Sequence, residues 1–210
     1  MALQYFPAGT VYGVLLNFSA ERAALAAQMS HPPYKAPPQA PVLYIKTANT
    51  WSGNGASVPV PERVAQVEIG ATVAMVMGPV VQYVLMNDLS IPHASFFRPP
   101  VKFKCLDGFL GIGSQLVTVD DPATFKLEVR INGSLRQTVD FSNLVRNAQT
   151  LIRDVAEFMT LRDGDALMLG CDCWPGGGRP LAKVGDVIQI NSPSHLALGV
   201  LTNTLVAENS

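Results

Sequence analysis

The chain has 210 residues, 48% of them hydrophobic and 15% charged, with a formal net charge of −1. That length allows one large domain or two small ones and burial of about 70% of the unfolded surface. The low charge, against about 25% in ordinary globular chains, is consistent with a large subunit interface. Near-neutrality excludes whole-surface attraction to nucleic acid or an anionic membrane. No apolar run approaches the roughly 18 residues of a membrane-spanning helix, and the start of the chain has no basic stretch of the kind that precedes a signal sequence. Cys105, Cys171 and Cys173 are an odd number, which with no export signal points to reduced thiols and a cytoplasmic setting.

In chain order, Val11 to Phe18 reads as a strand, and Ser19 is placed to cap a helix from Ala20 to Met29. Prolines at 32, 33, 37, 38 and 41 make the next stretch a stiff loop. Val42 to Lys46 is a short strand, and the glycines and Pro59 between Asn49 and Val60 predict turns. Val67 to Met77 and Val80 to Met86 read as strands, Leu89 to Phe109 as irregular chain, and Leu116 to Val119, Lys126 to Ile131 and Leu135 to Phe141 as strands. Asn132-Gly133 between the last two is a hairpin signal, because both residues tolerate positive φ. Ser142 is placed to cap a long helix from Asn143 to Met159, with Leu144, Ala148, Leu151, Val155, Phe158 and Met159 as its apolar stripe. Strands are expected at Ala166 to Gly170, Val184 to Ile190 and Leu196 to Val206, with a glycine loop at Gly176 to Gly178. Many short strands and two helices without regular alternation define an α+β chain, mostly β, read as a single domain over residues 1–210.

Several ordered stretches carry a resemblance: Tyr34 to Pro38, Ile45 to Thr50, Asn87 to Ser90, Lys104 to Gly108, Val129 to Gly133, Glu157 to Leu161, and the Gly-Asp pairs at 164 and 185. Together they resemble the fumarylacetoacetate hydrolase family over about residues 11–206. Gly70 to Gly78 and Phe97 to Cys105 resemble one branch of it, the isomerase/decarboxylases of 4-hydroxyphenylacetate (homoprotocatechuate) degradation, in particular their N-terminal half or subunit. The resemblance implies a mixed β-sandwich-like roll with one long helix. It also implies a dimer, or a heteromer with a homologous subunit, and chemistry on small unsaturated keto or enol polycarboxylates. The reactions implied are decarboxylation of 5-oxopent-3-ene-1,2,5-tricarboxylate and isomerisation of 2-hydroxyhepta-2,4-diene-1,7-dioate.

The resemblance further implies Mg²⁺ or Mn²⁺ held by two glutamates on a strand and the aspartate of an Asn-Asp pair, with positions left open for substrate oxygens. Asp88 matches that aspartate, but Gly70 and Thr72 stand where the resemblance puts the glutamates. Glu68, two residues before Gly70, would share its strand face and could supply a ligand. The resemblance makes Lys104 and Asp107 candidate catalytic residues. It also makes Arg98, Lys102 and Lys46 candidate substrate-binding cations; Lys102 and Lys104 share a face if that piece is extended. Glu21 and Ala24 fall where the family carries a mobile His-Glu pair, so no histidine is available there. His93, close after Asn87-Asp88, is the histidine placed to line a pocket, although a surface loop is the plainer expectation. Cys171-Asp172-Cys173 lacks a second pair for a zinc site. Two functions stand open: a working metal-dependent subunit, and a catalytically degenerate one that completes an intact homologous chain.

Overall fold

The computed structural model describes residues 3–93 and 100–208. In chain order the strands are β1 (Val11–Leu15), β2 (Val42–Lys46), β3 (Trp51–Ser52), β4 (Ser57–Val60), β5 (Val67–Glu68), β6 (Ala71–Val76), β7 (Gln82–Asp88), β8 (Leu110–Ile112), β9 (Lys126–Ile131), β10 (Ser134–Asp140), β11 (Ala166–Met168), β12 (Leu181–Ala182), β13 (Val187–Asn191) and β14 (Val200–Ala207). Among the described residues three helices accompany them: α1 (Ser19–Leu25), α2 (Val101–Lys104) and α3 (Ala148–Ala156). A mixed seven-stranded sheet runs β2-β1-β11-β6-β7-β8-β3, a five-stranded sheet runs β10-β9-β13-β14-β4, and β12 pairs with β5 in a separate ribbon. This is the α+β, mostly β arrangement expected.

The centre of the large sheet is apolar on both faces. Val73 and Met75 of β6 and Leu85 of β7 face a core shared with the five-stranded sheet, where they meet Leu127, Val129, Ile188, Ile190 and Leu201. Ala74, Val84 and Met86 face a second cluster with Val11, Leu110, Ile112 and Met168. A strand buried on both sides reads as a continuous apolar run, and the small alanines of β6 let neighbouring layers close on it.

The Asn132-Gly133 turn is present, with φ of 51° and 78°, and joins β9 to β10 in antiparallel register. Four expectations are corrected. Phe18 rather than Ser19 occupies the cap position of α1, which has no side-chain cap bond. The expected long helix is nine residues: Asn147 caps it by accepting from the Thr150 N–H at 2.9 Å, while residues 141–143 form a single 3₁₀ turn. Residues 144–146 are tied instead to the end of β1, where the Asn17 carbonyl accepts from Val145 N–H and its side-chain oxygen from Arg146 N–H. Phe158 is consequently exposed and not part of the buried stripe. The predicted strand 67–77 is two strands in different sheets, parted at Ile69-Gly70, where Ile69 N–H donates to Pro180 and Asp88 N–H donates to the Gly70 carbonyl. Residues 116–119 form only an isolated bridge, through Val117 to Tyr83.

Candidate functional site

Asp88 closes β7 at the point where β2 and α2 converge on it. Tyr44 and Lys46, two apart on β2, point to one face, as strand alternation requires. The Tyr44 hydroxyl donates to Asp88 Oδ2 at 2.5 Å, Lys104 Nζ lies 2.6 Å from the same oxygen, and Lys46 Nζ lies 3.0 Å from Oδ1. Lys46 also donates to the carbonyls of Phe109 at 2.7 Å, Leu89 at 3.3 Å and Lys104. All four side chains are buried; Asp88 and Lys46 are each only 1% exposed. Burial by itself would raise the Asp88 carboxyl, but the Lys104 and Lys46 ammoniums, with the Lys104 and Tyr44 hydrogen bonds, hold it well below the usual carboxylate range. Burial lowers Lys46 against the pull of Asp88, and burial, with Asp88 beside it, raises Tyr44.

The resemblance implies a divalent cation here, and the donor set does not fit one. Both Asp88 oxygens already face an ammonium. Thr72 donates its hydroxyl to the Gly170 carbonyl at 2.6 Å. A Cβ on Gly70 would come within 2.5 Å of the Asp88 carbonyl oxygen and 3.0 Å of Cys171 Sγ, so a longer side chain at 70 requires the backbone to move. Among the described residues, no group of three His, Cys, Asp or Glu side chains is placed to hold a metal. Glu68 does not join Asp88: β5 belongs to the separate ribbon, and its carboxylate meets Arg179.

Arg179 organises the second part of the site. Its Nη2 donates to Glu21 Oε1 at 2.7 Å and to the Cys171 carbonyl at 2.9 Å, its Nε to the Asp172 carbonyl at 2.9 Å, and its Nη1 to Glu68 Oε1 at 3.3 Å. The other oxygen of Glu21 accepts from Leu16 N–H at 2.6 Å. Desolvation raises the Glu21 carboxyl, with Arg179 opposing it. Burial works against the Arg179 charge, but Glu21 foremost, followed by Cys171 and Glu68, holds its pKa above the ordinary value. Glu21, Glu68 and Arg179 line a cavity of about 650 Å³, together with Ala24 and Leu25 of α1, His93, Cys173, Trp174 and the three glycines of 176–178. Those glycines all have positive φ, a conformation that keeps the turn open to glycine alone. The volume suits a small-molecule pocket.

The remaining candidates are dispersed. Lys46 is sealed inside with its donors spent on carbonyls and Asp88, so it is not a substrate-facing cation. Asp107 is exposed and accepts from Asn49 Nδ2 at 2.7 Å, whereas Lys104 pairs with Asp88, so those two do not act together. The piece carrying Lys102 and Lys104 is helical rather than extended; Lys102 is exposed while Lys104 is buried, so they share no face. Arg98 lies outside the described residues. His93 lines the cavity, its ring stacked on Phe103 at 4.7 Å. All three cysteines are free thiols, and burial pushes Cys171 up to about 12 and Cys173 up to about 11. Sequence reasoning missed Arg179 and Tyr44. For Tyr44 a signal existed in its spacing from Lys46; for Arg179, set between a glycine run and Pro180, none did.

Fold and site together define an α+β roll with a buried Asp-Lys centre beside an acidic-walled cavity. The sequence matches the model of the family described as fumarylacetoacetate (FAA) hydrolase C-terminal over residues 10–206, and the chain belongs to that family. It is 37% identical over 175 residues to the 4-hydroxyphenylacetate degradation bifunctional isomerase/decarboxylase of Escherichia coli, covering 77% of this chain and 40% of that protein. The chain thus spans less than half the length of such curated relatives. A 2-hydroxyhepta-2,4-diene-1,7-dioate isomerase from Mycobacterium marinum superposes with a TM-score of 0.77 at 22% identity, over 99% of this chain and 78% of that one. A maleylpyruvate hydrolase from Sphingobium sp. SYK-6, in complex with manganese(II) and pyruvate, superposes with a TM-score of 0.69 at 20% identity, over 95% of this chain and 71% of that one. Among the described residues, no helix is long and apolar enough to cross a membrane.

Proposed function

We propose that this chain is the metal-free half of an isomerase/decarboxylase of 4-hydroxyphenylacetate catabolism, and that residues 1–210 form one domain pairing with a homologous metal-bearing half or subunit. The kinship with the bifunctional enzymes supports the pathway. The observation that carries the reading is the state of Asp88. The one residue kept from the family's metal triad has both carboxylate oxygens paired with Lys46 and Lys104, and a glutamate at 70 would require the backbone at Asp88 to shift. A chain built this way stabilises no enolate through a cation of its own. Its role is to complete the fold or the pocket of a partner, in the cytoplasm.

The test is to purify the chain alone and together with a homologous subunit that carries both glutamates. We expect no turnover of 5-oxopent-3-ene-1,2,5-tricarboxylate or 2-hydroxyhepta-2,4-diene-1,7-dioate by the chain alone, co-elution of the two chains, and higher turnover in the complex. Independent elution with unchanged partner activity would refute the pairing.

The cavity favours a second reading, a chain that turns over a substrate itself. Glu21, Glu68, His93 and Arg179 place proton-carrying groups around a substrate-sized space. In that case the isolated chain catalyses the isomerisation, and Glu68→Gln abolishes it.

A further inference from the structure

Two asparagines stand in line with apolar residues across the main core. On β7, Asn87 follows Tyr83 and Leu85 at every second position, and on β14, Asn203 lies between Leu201 and Leu205; those four side chains belong to the core between the two large sheets. Asn87 is fully buried and Asn203 is 1% exposed. Asn87 Nδ2 donates to Asn203 Oδ1 at 3.3 Å, a bond from the seven-stranded sheet to the five-stranded one. The other atom of each amide, Asn87 Oδ1 and Asn203 Nδ2, is buried without a hydrogen-bond partner among the described residues. Exchanging O and N in both amides keeps the bond and again leaves one acceptor and one donor unpaired, whereas exchanging them in one amide alone sets two like atoms against each other. Gly111 on β8, opposite Asn87 in register, makes room for the pair: a Cβ there would overlap the Asn203 side-chain oxygen and come within 3.1 Å of Asn87 Cβ.

We infer that Asn87 and Asn203 form a binding site for internal water between the two sheets. A buried donor or acceptor left unpaired costs the desolvation of that group, and this pair carries one of each. A cation would satisfy only the carbonyl oxygen and an anion only the amide N–H, so the pair calls for a small molecule that both donates and accepts. Water does both, accepting from Asn203 Nδ2 and donating to Asn87 Oδ1, and it enters protein cores at polar spots of this kind while apolar ones stay dry. The hydrated pair acts as a polar key between the sheets. A slip of β7 by one residue would bring Met86 or Asp88 to face Asn203 in place of Asn87. Because Asn87 directly precedes Asp88, the key also sets the strand that carries the ion-pair centre. The inference goes beyond the pairing proposed above and requires no partner subunit.

The experiment is a crystal structure of the full chain at a resolution that shows ordered water, together with the urea midpoints of three variants. The structure should place water within hydrogen-bond distance of Asn87 Oδ1 and Asn203 Nδ2. Asn87→Leu and Asn203→Leu each leave a lone buried amide, whereas N87L/N203L removes both amides. The double variant should therefore lose less than the sum of the two single losses, and its structure should be dry at this point. No water density at either atom in the unmodified chain would overturn the assignment. Strictly additive losses would also overturn it, as would a double variant that keeps the water. If a single variant does not fold, a double variant that folds supports the shared site. If none of the three folds, the density in the unmodified chain decides.

Discussion

Two buried charge centres lie side by side in this chain and differ in what surrounds them. The Asp88 centre has one carboxylate between two ammoniums and is sealed from solvent; Lys104 and Tyr44 hydrogen-bond its Oδ2, while Oδ1 meets Lys46 as an ion pair at 3.0 Å without a hydrogen bond. The Arg179 centre has one guanidinium between two carboxylates and forms the wall of a cavity. The first is a closed ion-pair network that holds β7, β2 and α2 together. The second borders a space of small-molecule size. Buried ion pairs are costly to desolvate, so both centres persist only because each charge meets a close partner of opposite sign.

The largest effect should come from breaking the sealed centre. Asp88→Ala strands two buried ammoniums and is expected to cost about 3–5 kcal/mol, read from the urea midpoint. A triple variant that also replaces Lys46 and Lys104 with methionine should be less destabilised than Asp88→Ala; an equal or greater loss would show that the lysines act through packing.

Acid should separate the two centres by sign. The Asp88 carboxyl lies below its ordinary 3.8, so its contribution is present above that value and is lost as the pH falls below it. The Glu21 carboxyl lies above its ordinary 4.5, so the folded chain holds that proton more tightly. Stability from this group therefore rises as the pH falls through the window above 4.5. Glu21→Gln should flatten that rise and leave the later acid loss in place; a pH profile unchanged by Glu21→Gln would contradict the assignment.

Gly70→Ala, whose Cβ presses on the Asp88 carbonyl, should cost about 1–3 kcal/mol as an overpacked site. Lys102→Ala, on the exposed side of α2, should change stability by no more than about 0.5 kcal/mol, far from the effect at Asp88. A large loss there would mean that Lys102 belongs to the buried network.

The sequence made the sheet strands legible where apolar runs were long, as in β2, β7 and β9, and the Asn132-Gly133 turn was legible from its chemistry alone. It misled where long-range hydrogen bonds override local pattern. Asn17 draws residues 144–146 out of the expected helix, and the break at Gly70 sends β5 and β6 to different sheets. The second error displaced Glu68, because an argument from strand alternation holds only within one strand. Asp88 and Lys104 were legible from the family resemblance, although their mutual contact was not. Lys46 and Asp107 were misread because whether a charged side chain turns inward depends on tertiary carbonyls that no local spacing reveals. Arg179 had no sequence signal, since both of its carboxylate partners, Glu21 and Glu68, come from segments far away in the chain.

Metal titration of the unmodified chain tests most directly whether side-chain cations have taken over the family's metal position. With Mn²⁺ at stoichiometric concentration, the isolated chain should give no tightly bound paramagnetic signal and no rise in Tm. One tightly bound manganese per chain that disappears on Asp88→Asn substitution would contradict the account.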